Sequence, residues 1–391
     1  MAIPFKYNVR NLVVRKVSTT MTVLGVALVV TVFLLVMSLA EGVKKTFQTS
    51  VSPLNLVVLR VGAQSDVQSF VLKEQYETIR ALPGIARDAG GEPLASPEVV
   101  ILINVPRRDG KKTNVIVRGV EPVAFHLRPP IPIVEGRMFR GGTNEAIVSQ
   151  RTRARFAGTE IGDTLQSGSQ KWNIVGIFDA KGSPYDSEIW ADLHDVQGQT
   201  RRNTGYSIVR VRMPDVLSRD RFIEAVKGNQ QIKMEAKPED KFYEEQMATA
   251  KPIQFLAYFV AILMAIGASF GAMNTMYAQV SARIREVATL RALGFPRRSI
   301  LLSFVLESLA LGFLGGVAGA VFATLIVNFF LTAPTGTQNF STFAEILFNF
   351  QLTPWLIVAG LIFSVAIGLF GGFLPAARAA RLKIVNALRE A

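Results

Sequence analysis

The sequence predicts a membrane protein in which four transmembrane helices carry a large α/β extracytoplasmic domain between the first and the second. Three observations lead there. Four stretches are long, apolar and nearly free of charge; basic residues gather in three short segments between and around them; and the 214 residues of segment 41–254 show the mixed patterning of a folded domain. The composition agrees: of 391 residues 49% are hydrophobic, 26 are Phe, and only 19% are charged, below the roughly 25% of ordinary soluble domains. These figures exclude disordered, collagen-like and low-complexity classes. The absence of cysteine excludes disulfides, thiolate metal sites and cysteine nucleophiles.

Residues 1–20 place Phe5, Val9, Leu12, Val13 and Val17 on one helical face and Lys6, Arg10 and Arg15 elsewhere, which predicts an amphipathic cytoplasmic helix lying among lipid headgroups. Met21–Ala40 contains no charge and is long enough to span a bilayer, giving transmembrane helix 1 over 21–40. Ser38-Leu39-Ala40 would suit a signal peptidase, but the apolar run exceeds the roughly 7–15 residues of a signal, so it reads as an uncleaved anchor. Segment 41–254 reads as an extracytoplasmic α/β domain with stalk helices. Val71–Leu82 has helical spacing and stops at Pro83-Gly84. Short β-rich runs follow at Val99–Val105, Asn114–Val120, Ala146–Val148, Trp172–Phe178 and Tyr206–Val211, separated by turn residues. Glu41–Thr49 is expected to continue the first span, and Pro238–Lys251 to lead as a helix into the second. Then come transmembrane helix 2 over 255–278, a short cytoplasmic helix within 279–300, transmembrane helix 3 over 301–331, a short extracytoplasmic loop at 332–351, transmembrane helix 4 over 352–375 and a cytoplasmic tail at 376–391.

Lysine and arginine set the orientation. Residues 1–20, the connection 277–300 and the tail 375–391 together carry 13 basic against 2 acidic residues, out of a net +13 for the chain. Those three segments lie on one side of four spans, so both termini of this multi-pass chain are expected in the cytoplasm. The high basicity is juxtamembrane, where it meets anionic lipid, and gives no reason to expect nucleic acid.

Chemistry-bearing patterns are sparse. His126 and His194 are the only histidines, and Asp192-Leu193-His194-Asp195 reads more readily as a solvated helix start than as an acid–base or metal site. No zincin, nucleophile-elbow or calcium-loop spacing occurs. No metal site is expected, nor catalytic residues; Trp172, Phe178 and Trp190 read as core. Within the spans Glu307 is the one ionisable residue, a candidate intramembrane polar site. A lone acid makes a poor proton relay, so snorkelling or a bond to a neighbouring helix is favoured over a functional role. Small residues form ladders: Ala257, Ala261, Ala265 and Ser269 in the second span; Gly312, Gly315, Gly316 and Gly319 in the third; Gly360, Ser364, Gly368 and Gly372 in the fourth. Such stripes let backbones approach closely in lipid, and no polar stripe that would line a pore accompanies them. Ser281–Leu293, ended by Gly294-Phe295-Pro296, is a second short amphipathic helix suited to docking or to a simple interfacial connection.

These patterns resemble the MacB/FtsX family of ABC-transporter permeases, the mechanotransmission or type VII systems. The opening Arg10-Asn11-Leu12 with Thr22-Val23-Leu24-Gly25 is similar to the family's start. The run from Arg283-Ile284-Arg285-Glu286 to Arg291-Ala292-Leu293-Gly294 is similar to its R-x-R-E-I-x-x-x-R-A-L-G signature. Glu307 with Gly315-Gly316 and Gly319, then Pro375-Ala376-Ala377-Arg378-Ala379-Ala380 and Ala387-Leu388-Arg389, match the later spans and ending. Leu82-Pro83-Gly84, Val117-Arg118-Gly119-Val120, Glu135-Gly136-Arg137 and Val175-Gly176-Ile177 look like the MacB-like periplasmic core. The resemblance implies a homodimeric permease beneath which a separate ABC ATPase subunit docks. Arg283, Arg285, Glu286, Arg291, Leu293 and Gly294 would then couple to that ATPase. It implies no cofactor bound by this chain, with ATP and Mg in the partner, since no G-x-x-x-x-G-K-[ST] occurs. A periplasmic adaptor and an outer-membrane channel are further partners in such systems. The implied activity is export or extraction of a hydrophobic or envelope substrate, with efflux as the general class. The alternative is an FtsX-like regulator that activates a periplasmic cell-wall hydrolase. A membrane-anchored enzyme would need a catalytic role for a residue such as His194.

Overall fold

The computed structural model describes residues 16–49, 51–200, 203–248, 251–331, 335–339 and 341–381. The expected amphipathic helix over 1–20 and the ending Ala387-Leu388-Arg389 fall largely or wholly outside them.

In chain order the elements are helix α1 (Lys16–Gln48), strands β1 (Asn55–Arg60) and β2 (Val71–Leu72), α2 (Lys73–Ala81), β3 (Ala95–Pro106), β4 (Lys112–Val120) and α3 (Val123–His126). Then follow β5 (Ile133–Gly136), β6 (Glu145–Ser149), α4 (Gln150–Arg155), β7 (Thr164–Ser167), β8 (Gln170–Phe178), β9 (Glu188–Asp192) and α5 (Leu193–Thr200). The domain ends with β10 (Gly205–Tyr206), β11 (Ile208–Arg212), α6 (Val216–Gly228), β12 (Met234–Pro238) and α7 (Glu239–Ala248). The remainder is α8 (Lys251–Ser281), α9 (Ile284–Ala292), α10 (Arg297–Leu325), the hairpin β13 (Thr335–Gln338) and β14 (Glu345–Phe348), and α11 (Pro354–Ala380). Two compact units result: Met1–Glu41 with Ile253–Thr332 and Phe350–Ala391, and Gly42–Pro252 with Ala333–Asn349.

The second of these units is built on a ten-stranded mixed sheet in the order β12-β1-β11-β3-β4-β9-β6-β8-β5, with β7 branching from β8. The β4–β9 and β6–β8 pairs are parallel and the others antiparallel. In β1 the period of two sends Leu56 and Val58 into the main core and Val57 and Leu59 into a second cluster with Phe47, Phe242 and Tyr243. Both faces of this strand are therefore covered, which explains its unbroken apolar sequence. Asp215 caps α6 by accepting from the Ser218 amide at 2.8 Å, and Phe222 and Val226 dock that helix on the core.

The hairpin β13–β14 belongs to this unit. The sequence offered 332–351 as a connecting loop; the structure adds a strand buried on both sides. Leu347 enters the main core, Ile346 the second cluster, and Ala344 a third with Val100 and Ile116. Leu347 N–H donates to Ser187 Oγ at 2.7 Å, Arg155 pairs with Glu345 at 2.5 Å, and the Ser341 carbonyl accepts from Ser65 and Gln68. The upper end of α1 also passes close by: a Cβ on Gly42 would collide with the Asn349 carbonyl.

Among the described residues four helices are long and apolar enough to cross a membrane, at Lys16–Gln48, Tyr258–Ser281, Arg297–Phe330 and Pro354–Ala380. Val26, Val30 and Leu34 of α1 pack against Ala323 and Ile367. Phe33 stacks on Phe363 with ring centroids 4.5 Å apart, and Thr31 Oγ1 donates to the Gly319 carbonyl at 3.1 Å. The N-terminus of α11 is formed by Thr353, whose hydroxyl accepts from the Leu356 amide, followed by Pro354 where no amide donor is needed.

Candidate functional site

The connection between the second and third membrane helices begins where α8 stops at Ser281 and reaches α10 at Arg297. Within it α9 spans little more than two turns, so tertiary contacts must hold it. Val287 and Ala288 face inward, and Val287 packs with Ile300, Phe304, Val280, Ala376 and Ala379, with Leu290 alongside. The helix ends in a tight reversal. Phe295 N–H donates to the Leu290 carbonyl at 3.1 Å and Gly294 N–H to the Arg291 carbonyl at 3.1 Å. Gly294 sits at φ +92, the left-handed geometry that glycine adopts without a side-chain penalty.

The six residues singled out in this connection separate by exposure into three groups. Arg285, Glu286, Leu293 and Gly294 are exposed, Leu293 strongly so at 69%. Arg291 is half-buried, with Nη1 donating to the Phe295 carbonyl. Arg283 is buried. Its Nη1 lies 2.8 Å from Glu307 Oε2, with the two side chains only 4% and 3% exposed. Its Cζ lies 5.7 Å from the Phe304 ring centroid, and its Nε lies 3.6 Å from Glu286 Oε2. Glu307, for which the sequence favoured snorkelling or a bond to a neighbouring helix, is paired with an arginine of the connection. A search confined to the spans missed this, because its partner lies in the connection, 24 residues earlier.

The glycines place the third helix against two others. A Cβ on Gly312 would come within 2.7 Å of the Ser364 carbonyl oxygen, and one on Gly368 within 2.6 Å of the Ser308 carbonyl oxygen. Gly316 faces the Ser364 hydroxyl and Gly372 that of Ser308, in both cases too closely for a side chain. Gly315 and Gly319 turn to α1, where a Cβ would meet Val26 at 2.7 Å and Val30 at 2.8 Å. A recess of about 250 Å³ between α1 and α8 is lined by Val29, Val32, Phe33, Val36 and Leu256 among other apolar residues, so it suits hydrocarbon and not ions.

In the external unit the histidine cluster is occupied with local structure. Asp192 Oδ1 accepts from the His194 amide at 2.9 Å, while the Asp195 carboxylate accepts from the Gly142 and Asn144 amides, each at 3.0 Å. The feature that sequence reasoning missed is a buried ionic network. Arg118 donates bidentately to Glu188 at 2.7 and 2.6 Å, and reaches Glu98 at 2.8 Å and Asp66 at 2.9 Å. Glu98 also accepts from Arg128 at 2.5 Å, and Arg210 pairs with Glu239 at the start of α7. Glu239 further accepts from Asn55 Nδ2 at 2.8 Å. Arg128 lies over Tyr185 and Trp190 at 4.8 and 5.1 Å. Burial pushes the Glu98 carboxyl up, but Arg128, Arg210 and Arg118 outweigh it and hold the pKa at about 2. The signal was a charge interrupting strand-like apolar runs, as in Val117-Arg118-Gly119-Val120 and Val209-Arg210-Val211.

Known proteins resemble the chain along most of its length. A family model described as MacB-like periplasmic core domain matches residues 19–228, and one described as FtsX-like permease C-terminal matches residues 258–384. The macrolide export ATP-binding/permease protein MacB of Bradyrhizobium diazoefficiens is 28% identical over 312 residues, covering 75% of this chain and 46% of that protein. Its namesake from Pasteurella multocida is 24% identical over 394 residues, covering 96% of this chain and 58% of its own. The chain thus spans about half the length of the curated relatives it matches. Among solved structures, the periplasmic region of MacB from Actinobacillus actinomycetemcomitans matches 50% of this chain and 92% of its own, at 11% identity and a TM-score of 0.37.

Proposed function

The chain belongs to the family of FtsX-like permeases with a MacB-like periplasmic core domain, and on that premise we propose that it is the membrane subunit of an ABC transporter complex. ATP hydrolysis by a separate ATPase subunit, with Mg, drives a conformational change in the periplasmic domain and so the export or extraction of a hydrophobic or envelope substrate. The protein is a homodimer in the inner membrane with both termini in the cytoplasm. A periplasmic adaptor and an outer-membrane channel are its candidate external partners.

The observation that carries this reading is the division of α9 into a face buried on α10 and an exposed face formed by Arg285, Glu286, Thr289 and Leu293. A short helix fixed from behind and open in front suits docking. The basic bias of the connecting segments supports the orientation. The apolar recess and the glycine packing support movement of helices without a water-filled pore. The chemistry of ATP is assigned to the partner because no phosphate-binding loop motif occurs in these residues.

Mild-detergent purification of the tagged chain from its native membrane tests this. A stoichiometric ATPase is expected to accompany it, and Arg285→Glu or Glu286→Arg is expected to lower the ATPase rate of the complex. A chain that purifies alone, under conditions that preserve other membrane complexes, overturns the proposal. Recovery of a cell-wall hydrolase on the external domain would favour the regulator alternative.

A further inference from the structure

We infer that Arg283 is a positioning residue: its buried pair with Glu307 joins α9 to α10 as one rigid lever, and a docked partner touches the exposed face instead. This rests on the coupling role proposed for α9. The chain enters α9 from α8 through the short turn Ala282-Arg283 and leaves it through Leu293-Gly294-Phe295-Pro296, a turn without regular helix. A push on so short a helix would be absorbed in that turn unless something fastened its other end. Arg283 stands at the N-terminal boundary of α9, and Glu307 is in the third turn of α10. Their 2.8 Å contact closes the open end of the wedge, while Val287 against Ile300 and Phe304 fills its middle.

Chemistry favours a fastening over a relay. Both side chains are shielded from water, and the Phe304 ring covers the guanidinium. A buried ion pair adds little net stability compared with apolar packing, yet removing one member strands a charge where water cannot reach it. The pair therefore tolerates movement as a body far better than separation. Glu286 connects this joint to the exposed face, since its carboxylate approaches Arg283 Nε at 3.6 Å while its side chain is 54% exposed.

The chain lacks cysteine, so Thr289→Cys on α9 and Val321→Cys on α10 can be spin-labelled without background. The distance distribution between the labels in nanodiscs is expected to be narrow, and to broaden in Glu307→Gln and Arg283→Gln. It is expected to narrow again in the reversed pair Arg283→Glu/Glu307→Arg. With the ATPase bound, the single variants should retain the partner but lose about tenfold or more of ATP turnover, and the reversed pair should recover most of it. If the reversed pair does not fold, Arg283→Lys, which keeps the charge, should give a narrower distribution than Arg283→Gln. A distribution that stays narrow in both single variants overturns the inference. So does loss of ATPase binding in Arg283→Gln while Glu307→Gln retains it, because Arg283 would then be a docking contact. The label distances need no partner, so absence of an ATPase refutes the proposed function without deciding the lever.

Discussion

Inside the external domain, Arg118, Arg128 and Arg210 share Glu98, Glu188, Asp66 and Glu239, whereas in the membrane unit Arg283 meets Glu307 beside the Phe304 ring. The first arrangement ties β3, β4, β9, β11 and the start of α7 through several shared acceptors. The second ties one short helix to one long one. Strands carry polar backbones whose side chains alternate faces, so a wide sheet can bring many charges to one buried layer. Helices in lipid approach each other through small residues, and charges there are few and must be paired. A network resists deformation from several directions. The Arg283–Glu307 contact fixes one distance, between the start of α9 and the third turn of α10.

The comparison breaks most readily at Arg118. Arg118→Ala removes the cation that Glu98, Glu188 and Asp66 share, and is expected to destabilise the external domain by about 4 kcal/mol. Trp172 and Trp190 are fully buried there, so tryptophan fluorescence during thermal unfolding of the detergent-purified chain reads the loss. An unchanged transition would mean that the network is dispensable.

Acid should act next, and on the same side of the comparison. The Glu98 pKa is held at about 2 against an ordinary 4.5, so its contribution is complete above pH 4.5 and is lost as the pH falls through 2. The depression corresponds to a stabilisation on the order of 3 kcal/mol. Stability measured over that window should fall less steeply in Glu98→Gln than in the unmodified chain.

On the membrane side, Gly316→Leu is expected to cost about 2 kcal/mol because the Ser364 side chain occupies the space. Gly267→Ala, where nothing lies within 4 Å, should cost nothing and is the matched control. Equal losses at the two positions would remove the close approach of α10 and α11 from the account. The smallest effect is expected at Asp215→Ala, which deletes the cap of α6 and should cost about 1 kcal/mol in the same unfolding measurement.

Much of the architecture was legible before the structure. The four spans follow from length and charge alone, and α9 from its spacing and the Gly294-Phe295-Pro296 stop. The strands at Asn114–Val120 and Trp172–Phe178 lie within β4 and β8 as expected. Less visible were α6, whose apolar face is interrupted by arginines, and β12, whose alternation includes Glu235 and Lys237. The hairpin at 335–349 was invisible as structure because it is too short to be stable alone. Its order comes from Ile346, Leu347 and the Arg155–Glu345 pair, all contacts with residues remote in sequence.

The sequence by itself determined how many helices are apolar enough to cross a membrane, which segments carry the positive charge, and where small residues permit helices to touch. These depend on hydrophobicity, charge and local spacing, which are properties of contiguous residues. Only the tertiary structure decided that Arg283 is buried on Glu307 while Arg285 faces outward, and that Arg118 and Arg210 lie inside the sheet. An arginine's role depends on which carboxylate the fold brings within about 3 Å, and the chain's one-dimensional order does not encode that distance.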